Sequence, residues 1–279
     1  MSLSIFTNGS SMASINALNK SNSMLSTAME RLGTGKRINS AADDAAGLQI
    51  ASRLQGQSNG MAVAQRNISD ATAMLQTAEG AFDEVSNIMY RMKDLATQGA
   101  NDTNTTEDRD AINSELGELQ KELGNIMSNT SYGGEKLFAA AGKLTQDMNF
   151  QIGSSADEKM TVSLSASLGD ANTAINGLSG STITDATSAQ DLMSDLEDSL
   201  AAVGTIRSSL GANINRLGHT AANLANMKDN TELALGNIQD ADFASEASSM
   251  TRNQMLAQTS MSMLKQSNSM SGMVMSLLG

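Results

Sequence analysis

Residues 47–96 read GLQIASRLQGQSNGMAVAQRNISDATAMLQTAEGAFDEVSNIMYRMKDLA, fifty positions without a proline. Apolar or small side chains fall at Gly47, Ile50, Leu54, Met61, Ala64, Ile68, Ala71, Leu75, Ala78, Phe82, Val85, Met89, Met92 and Ala96, with Gln57 the one plainly polar member. The steps alternate between three and four, which keeps one stripe on one helix face and makes the seam of a coiled coil over about seven heptads. As a single helix the stretch is roughly 75 Å long at 1.5 Å per residue. A compact globule of this chain length would be only roughly 50 Å across. An elongated molecule is therefore expected.

The same spacing recurs on both sides of a changed middle. Ile112, Leu116, Leu119, Leu123 and Ile126 predict a helix from about Thr106 to Met127, with cap candidates in Asn101–Thr106. Met193, Leu196, Leu200, Val203, Leu210, Ile214, Leu217, Ala221 and Leu224, with Arg207 interposed, predict a third from about Ser188 to Asn230. Between them Met148, Phe150 and Ile152 alternate with polar neighbours, and so do Met160, Val162, Leu164 and Ala166 after a polar turn at 153–159. Two period-2 runs around a turn predict a β-hairpin near 148–166. The Gly-, Ser-, Thr- and Asn-rich stretch 167–187 reads as a loop.

Each end of the chain carries heptad stripes of its own. Leu18, Leu25 and Leu32 recur every seventh residue, as do Ile15 and Met29 around Asn22. At the far end Leu256, Met263, Met270 and Leu277 form one stripe, and Phe243, Met250, Ala257, Leu264 and Leu278 a second, interrupted by Ser271. Such helices, polar but poorly charged on their outer faces, are marginal alone and call for partners, either each other or further copies. The fold class expected is mainly α: an elongated helical bundle or coiled coil with a small β-hairpin region and termini paired as helices.

Composition narrows the function. The 279 residues contain no Cys, no Pro, no Trp, one His and 20 Met. Zero Cys excludes a disulfide framework and thiol chemistry, and His219 alone cannot build a His-rich zinc site. No cofactor is implied. Thirty acidic against 18 basic residues give a net charge of −12, which opposes nucleic acid and anionic membranes alike. The ends do not share the acidity: 1–40 holds Lys20, Arg31, Lys36 and Arg37 against Glu30, and 239–279 holds Arg252 and Lys265 against Asp240, Asp242 and Glu246. Asp43-Asp44 point about 100° apart on a helix, and read better as helix-start carboxylates than as a metal pair. Gly33-Thr34-Gly35-Lys36 lacks phosphate-loop spacing. No convergent nucleophile, base or metal set supports an enzyme.

Two longer motifs carry a resemblance. LGTGKRINSAADDAAGLQI at 32–50 and NIQDADFASE at 237–246 resemble the N- and C-terminal signatures of bacterial flagellin, and the likeness covers essentially the whole chain. It is that of a short, minimal member, of the lateral type in its brevity and Met content. The resemblance implies a secreted subunit of the extracellular flagellar filament, self-assembling into a helical homopolymer, with segments 1–40 and 239–279 as the inner-tube domain and 41–238 as the outer one. It implies an export chaperone and cap and junction proteins as partners. It also implies that Arg91, Leu95 and Glu115 form the surface a vertebrate Toll-like receptor recognises, whereas pattern alone reads Arg91 and Glu115 as an ordinary helix–helix contact. The assembly seam is expected at Leu18, Leu25, Leu32, Leu256, Met263, Leu264, Met270 and Leu277. Two other readings stand beside the filament subunit: a hook–filament junction protein, and a secreted coiled-coil effector or adhesin. The first would be less flagellin-like over 41–100, and the second has no need of two apolar termini.

Residues 1–30 lack a basic region followed by an apolar core, so export through the flagellar type III route with an uncleaved N-terminus is expected. Mass spectrometry of shed protein should find at most Met1 missing; loss of a peptide of about 15–30 residues would count against this route.

Overall fold

The structure is a computed structural model that describes residues 8–139 and 141–278, leaving aside the side chains at 271 and 274–278. In chain order the elements are α1 (Gly9–Thr34), α2 (Ala45–Gly99), α3 (Thr106–Asn129), β1 (Ser131–Tyr132), β2 (Glu135–Lys136), a 3-10 turn (Lys143–Thr145), β3 (Met148–Gln151), β4 (Lys159–Val162), α4 (Ser165–Gly177), α5 (Ala186–Gln239) and α6 (Phe243–Leu278). They fall into two compact units, one of residues 1–57 with 230–279 and one of residues 58–229.

The 58–229 unit is organised by the α2 stripe. From Met61 to Ala96 every position of the predicted seam is buried, with Leu75, Ala78, Phe82, Val85, Met89 and Met92 fully so. Ile112, Leu116, Leu123 and Met127 of α3 join the same core, with Leu119 and Ile126 at its edge. Phe82 meets Phe138 with ring centroids 4.7 Å apart and planes tilted by 51°, within the favoured range for aromatic pairs. On α5 the buried stripe runs Leu192, Leu196, Ser199, Val203, Ile206, Leu210, Leu217 and Leu224. This corrects the expected stripe: Met193, Leu200 and Ile214 are only partly buried at its edge. The register is turned because Ser199, polar and small, fits inside by donating its Oγ–H to Ala174 O at 3.2 Å. Arg207 lies at the margin, reaching Glu79 and Asp83, each at 2.8 Å.

The hairpin forms as expected, with Met148 opposite Val162, Asn149 opposite Thr161, Phe150 opposite Met160 and Gln151 opposite Lys159. Met160 and Val162 are its buried face; Leu164 and Ala166, expected to continue the strand, instead cap and begin α4. A shorter hairpin, β1–β2, turns through Gly133 and Gly134 at φ 60° and 85°, a left-handed pair that favours glycine.

The segment 167–187 is not a loop throughout. Its first part belongs to α4, because Leu168, Ala171 and Ile175 recur at helical spacing and are buried. The remainder, up to Asp185, is irregular but fixed. Asn113 donates from Nδ2 to Ile183 O at 2.9 Å and accepts from Ile183 N–H at 2.8 Å. Gln120 does the same with Ser181 O and Gly180 N–H, at 2.9 and 3.2 Å. Two side-chain amides thereby stand in for a β-partner. α5 also runs past Asn230 to Gln239, nine residues further than its apolar pattern suggested.

Helix starts are set by acidic side chains. Thr105 and Asp108 form a capping box, Thr105 Oγ1 accepting from Asp108 N–H and Asp108 Oδ2 from Thr105 N–H. Asp185 Oδ1 accepts from Ser188 N–H at 2.7 Å. Hydrogen bonds from Thr105 hold the Asp108 carboxyl below its usual 3.8, those from Ser188 do so for Asp185, and the hydrogen bond from Lys93 lowers Glu197 from 4.5. A folded-state value below the unfolded one gives stability that is complete above the ordinary carboxylate range and lost as pH falls through the lowered value. The thermal midpoint followed by circular dichroism should therefore be flat from neutral down to about pH 5 and fall below about pH 4. Asp108→Asn should shallow the fall; an equally steep fall in that variant would remove Asp108 from the cause.

Candidate assembly interface

In the other unit α1 and α6 pack side by side with opposed chain directions. Asn8 Nδ2 donates to Ser267 Oγ at 2.9 Å near one end, and Arg31 Nη1 pairs with Glu246 Oε1 at 3.0 Å near the other. Asn8 also caps α1, its Oδ1 accepting from Ser10 and Ser11 N–H at 3.1 and 3.2 Å. Asp242 does the same for α6 through Ala244 N–H at 3.0 Å.

The centre of the seam between these helices is made of small and polar side chains. Among the described side chains, Ser21 and Ala28 are the buried residues of α1, and Asn253 and Ala257 are those of α6. Leu18, Leu25 and Leu32 alternate with Ser21 and Ala28 on one stripe and are half-buried, and Leu264 lies half-buried one heptad beyond Ala257. Leu256, Met263 and Met270, expected to share a seam with Leu264, point away from it and are 45%, 61% and 53% exposed. Adjacent residues on a helix differ by about 100°, so Leu256 and Met263 cannot face α1 when Ala257 and Leu264 do. Ile15 and Met29 are likewise exposed on α1. The side chain of Leu277 lies outside the described residues, as do Leu3 and the start of the chain. Thus the seven described side chains among those expected to form one seam divide between an inward stripe and an outward one. The inward residues that the pattern missed, Ser21 and Asn253, carry no hydrophobic signal; only their spacing, seven residues from Ala28 and four from Ala257, could have marked them.

A stitched turn leads into and out of the pair. Gly35 ends α1 at φ 71°, where a side chain would be strained, and its N–H reaches Arg31 O. Lys36 and Asp240 then form an antiparallel bridge, with Arg37 N–H donating to Gln239 O at 2.7 Å and Ala241 N–H to Gly35 O at 3.0 Å. Arg37 Nη2 adds a bond to Ile238 O at 2.8 Å. Asp43 Oδ2 accepts from Ser40 N–H at 2.9 Å and Asn39 N–H at 3.2 Å, bonds that hold its carboxyl below the usual range. Asp44 Oδ1 accepts from Gly47 N–H at 2.8 Å. A Cβ on Gly47 would lie 2.7 Å from Ile38 Cδ1, so the close approach of the buried Ile38 depends on that glycine. The two aspartates act as turn and helix-start acceptors. The expected seam over 47–57 is followed only in part: Gly47 is buried and Leu54 half-buried, but Ile50 is 42% exposed and Ala51 is buried in its place.

In the 58–229 unit, Arg91 donates from Nε and Nη2 to Glu115 Oε1 at 2.8 and 2.6 Å, tying α2 to α3 with both side chains about half exposed. Leu95, one turn on, is 3% exposed and belongs to the core. Among the described residues no group of three His, Cys, Asp or Glu side chains is placed to hold a metal. No helix among them is long and apolar enough to cross a membrane.

Comparison with known proteins places these features. Residues 5–143 match the bacterial flagellin N-terminal helical region, and 193–278 match the bacterial flagellin C-terminal helical region. A flagellin of Halalkalibacterium halodurans is 39% identical over 251 residues, covering 90% of each chain. The crystal structure of Bacillus cereus flagellin superposes with a TM-score of 0.50 at 29% identity, over 57% of this chain and 88% of that one. A hook-associated protein structure from Vibrio parahaemolyticus, 17% identical with a TM-score of 0.59 over 71% of this chain and all of that one, shares the fold alone. The paired apolar termini, the stitched turn at 35–47 and the helical body therefore have one common explanation: the chain belongs to the bacterial flagellin family.

Proposed function

We propose that the outward apolar face of α1 and α6 is where copies of this chain join into the flagellar filament. In this reading 1–40 with 239–279 form the inner tube, 41–238 form the outer tube, and the protein acts structurally, without catalysis. The observation that carries it is the exposure of Leu256, Met263 and Met270 on a helix that has hardly any charge. Burial of such side chains yields about 1.5–3 kcal/mol each, and a helical polymer repeats that gain in every copy. The inward seam fully buries only serine, alanine and asparagine and leaves Leu18, Leu25, Leu32 and Leu264 half-buried, so the pair is marginal in the monomer and gains order as neighbours cover it. Polymerisation is then coupled to ordering of the ends. An export chaperone for the unassembled chain, and cap and junction proteins at the filament ends, are the further partners this role calls for.

Met263→Asp places a charge in the repeated contact while leaving the inward seam intact. Its monomer should keep wild-type helicity by circular dichroism and fail to elongate filament seeds, as judged by electron microscopy and light scattering. Elongation at the wild-type rate would refute the proposed face. Leu264→Asp, half-buried on the inward stripe, should lose both helicity of the ends and elongation.

The Arg91–Glu115 pair is the second part of the proposal, as the polar centre of a surface recognised by a vertebrate Toll-like receptor. An exposed ion pair is worth at most about 1 kcal/mol to stability, so its loss can be read as recognition and not as unfolding. Leu95 supports this surface from the core and does not touch a partner. Arg91→Ala and Glu115→Ala monomers should signal at least about tenfold more weakly. Folded variants signalling like wild type would remove the pair from recognition.

A further inference from the structure

Methionine occurs 20 times in a chain with no cysteine, and its placement is sharply divided. In the 58–229 unit Met61, Met74, Met89, Met92, Met127 and Met160 are buried. Among the described residues nine methionines are exposed, and eight of them lie within 1–57 or 230–279. On α6 Met255, Met261, Met263 and Met270 are 57%, 45%, 61% and 53% exposed; on α1 Met12, Met24 and Met29 are exposed as well. Without thiols, thioethers are the side chains that a mild two-electron oxidant attacks most readily, and attack follows exposure.

We infer that Met255, Met261, Met263 and Met270, exposed on α6, are oxidation sites whose conversion to sulfoxide blocks incorporation of the subunit. This rests on the assembly face proposed above. The oxidant is hydrogen peroxide. A sulfur lone pair attacks one peroxide oxygen, the S–O bond forms as the O–O bond breaks, and the departing hydroxide takes the remaining proton to leave as water. Sulfur loses two electrons and peroxide gains them. The product is a polar, strongly accepting group where an apolar one stood, and an apolar contact offers it no donor. Covered side chains escape, so the unassembled subunit is sensitive and the assembled one protected. The six buried methionines of the 58–229 unit are shielded in either state and Met227 is its one exposed methionine among the described residues, so oxidation falls mainly on the ends. Leucine at the same positions would serve packing equally well without this liability, having similar volume and helix propensity.

The test uses the full chain treated with hydrogen peroxide, peptide mass spectrometry to locate sulfoxide, circular dichroism, and seeded elongation. Sulfoxide is expected at Met255, Met261, Met263 and Met270 before Met61, Met89 and Met92, with helicity of the body retained. The subunit concentration needed for elongation should rise at least about tenfold, and treatment with both stereospecific methionine sulfoxide reductases should restore it. The variant Met255→Leu/Met261→Leu/Met263→Leu/Met270→Leu should elongate after peroxide as before it; the reductase arm carries the same question without any substitution. If the oxidised wild-type chain elongates normally while Met263→Asp does not, oxidation gating is overturned and the assembly face stands. Equal loss of elongation in the leucine variant would also overturn it, because the sensitive group would lie elsewhere. If Met263→Asp itself elongates normally, the face is wrong and this inference fails with it.

Discussion

The unbroken apolar stripe of α2 between Met61 and Ala96 is the surface on which the 58–229 unit is built. Because its steps alternate three and four without interruption, the stripe stays straight along one face, and α3 and α5 can bury their own stripes against it. The hairpin and α4 add to the same core through Met160, Val162, Leu168 and Ile175. Charged side chains such as Arg207 and Lys93 are left at the margins, where pairing with acidic neighbours is cheap and contributes little.

The terminal pair obeys a different rule. Its inward seam fully buries only Ser21, Ala28, Asn253 and Ala257, with Leu18, Leu25, Leu32 and Leu264 half-buried along it, while Ile15, Met29, Leu256, Met263 and Met270 lie exposed on other faces. In a protein that acts alone this would be poor economy, since large apolar side chains stay in water. In a subunit of a polymer it is a division of labour. Small residues hold the two ends of one chain together, and large ones remain available for the neighbours.

Long repeats were legible in the sequence, and short or polar departures from them were not. The extents of α2 and α3 and the presence of a hairpin within 148–166 follow from periodicity, because each has several consecutive turns or alternations in agreement. The stripe of α5 was placed slightly off because Ser199 occupies a core position through a hydrogen bond that no hydropathy pattern reveals. α4 was hidden by composition: its buried Leu168, Ala171 and Ile175 are separated by Gly, Asp, Asn and Thr, which read as loop. On the ends, two stripes per helix were visible, but which of them faces inward depends on small residues that hydrophobicity does not single out. The contact of Arg91 with Glu115 between two helices could be read from the pattern; that Leu95 turns inward needed the coordinates.

The hydrogen bond from Asn8 to Ser267 joins residues 259 positions apart. Closing a loop of that length costs about 5 kcal/mol in chain entropy, more than the small inward seam readily offsets. The 58–229 unit has no such difficulty, since hairpins and helix–turn–helix contacts of short range can form first. Its folding removes most of the freedom of the intervening chain, and only then can the termini find each other at modest cost. The order of events follows: body first, ends last. The contact that closes the widest span of sequence is thus the last to be made.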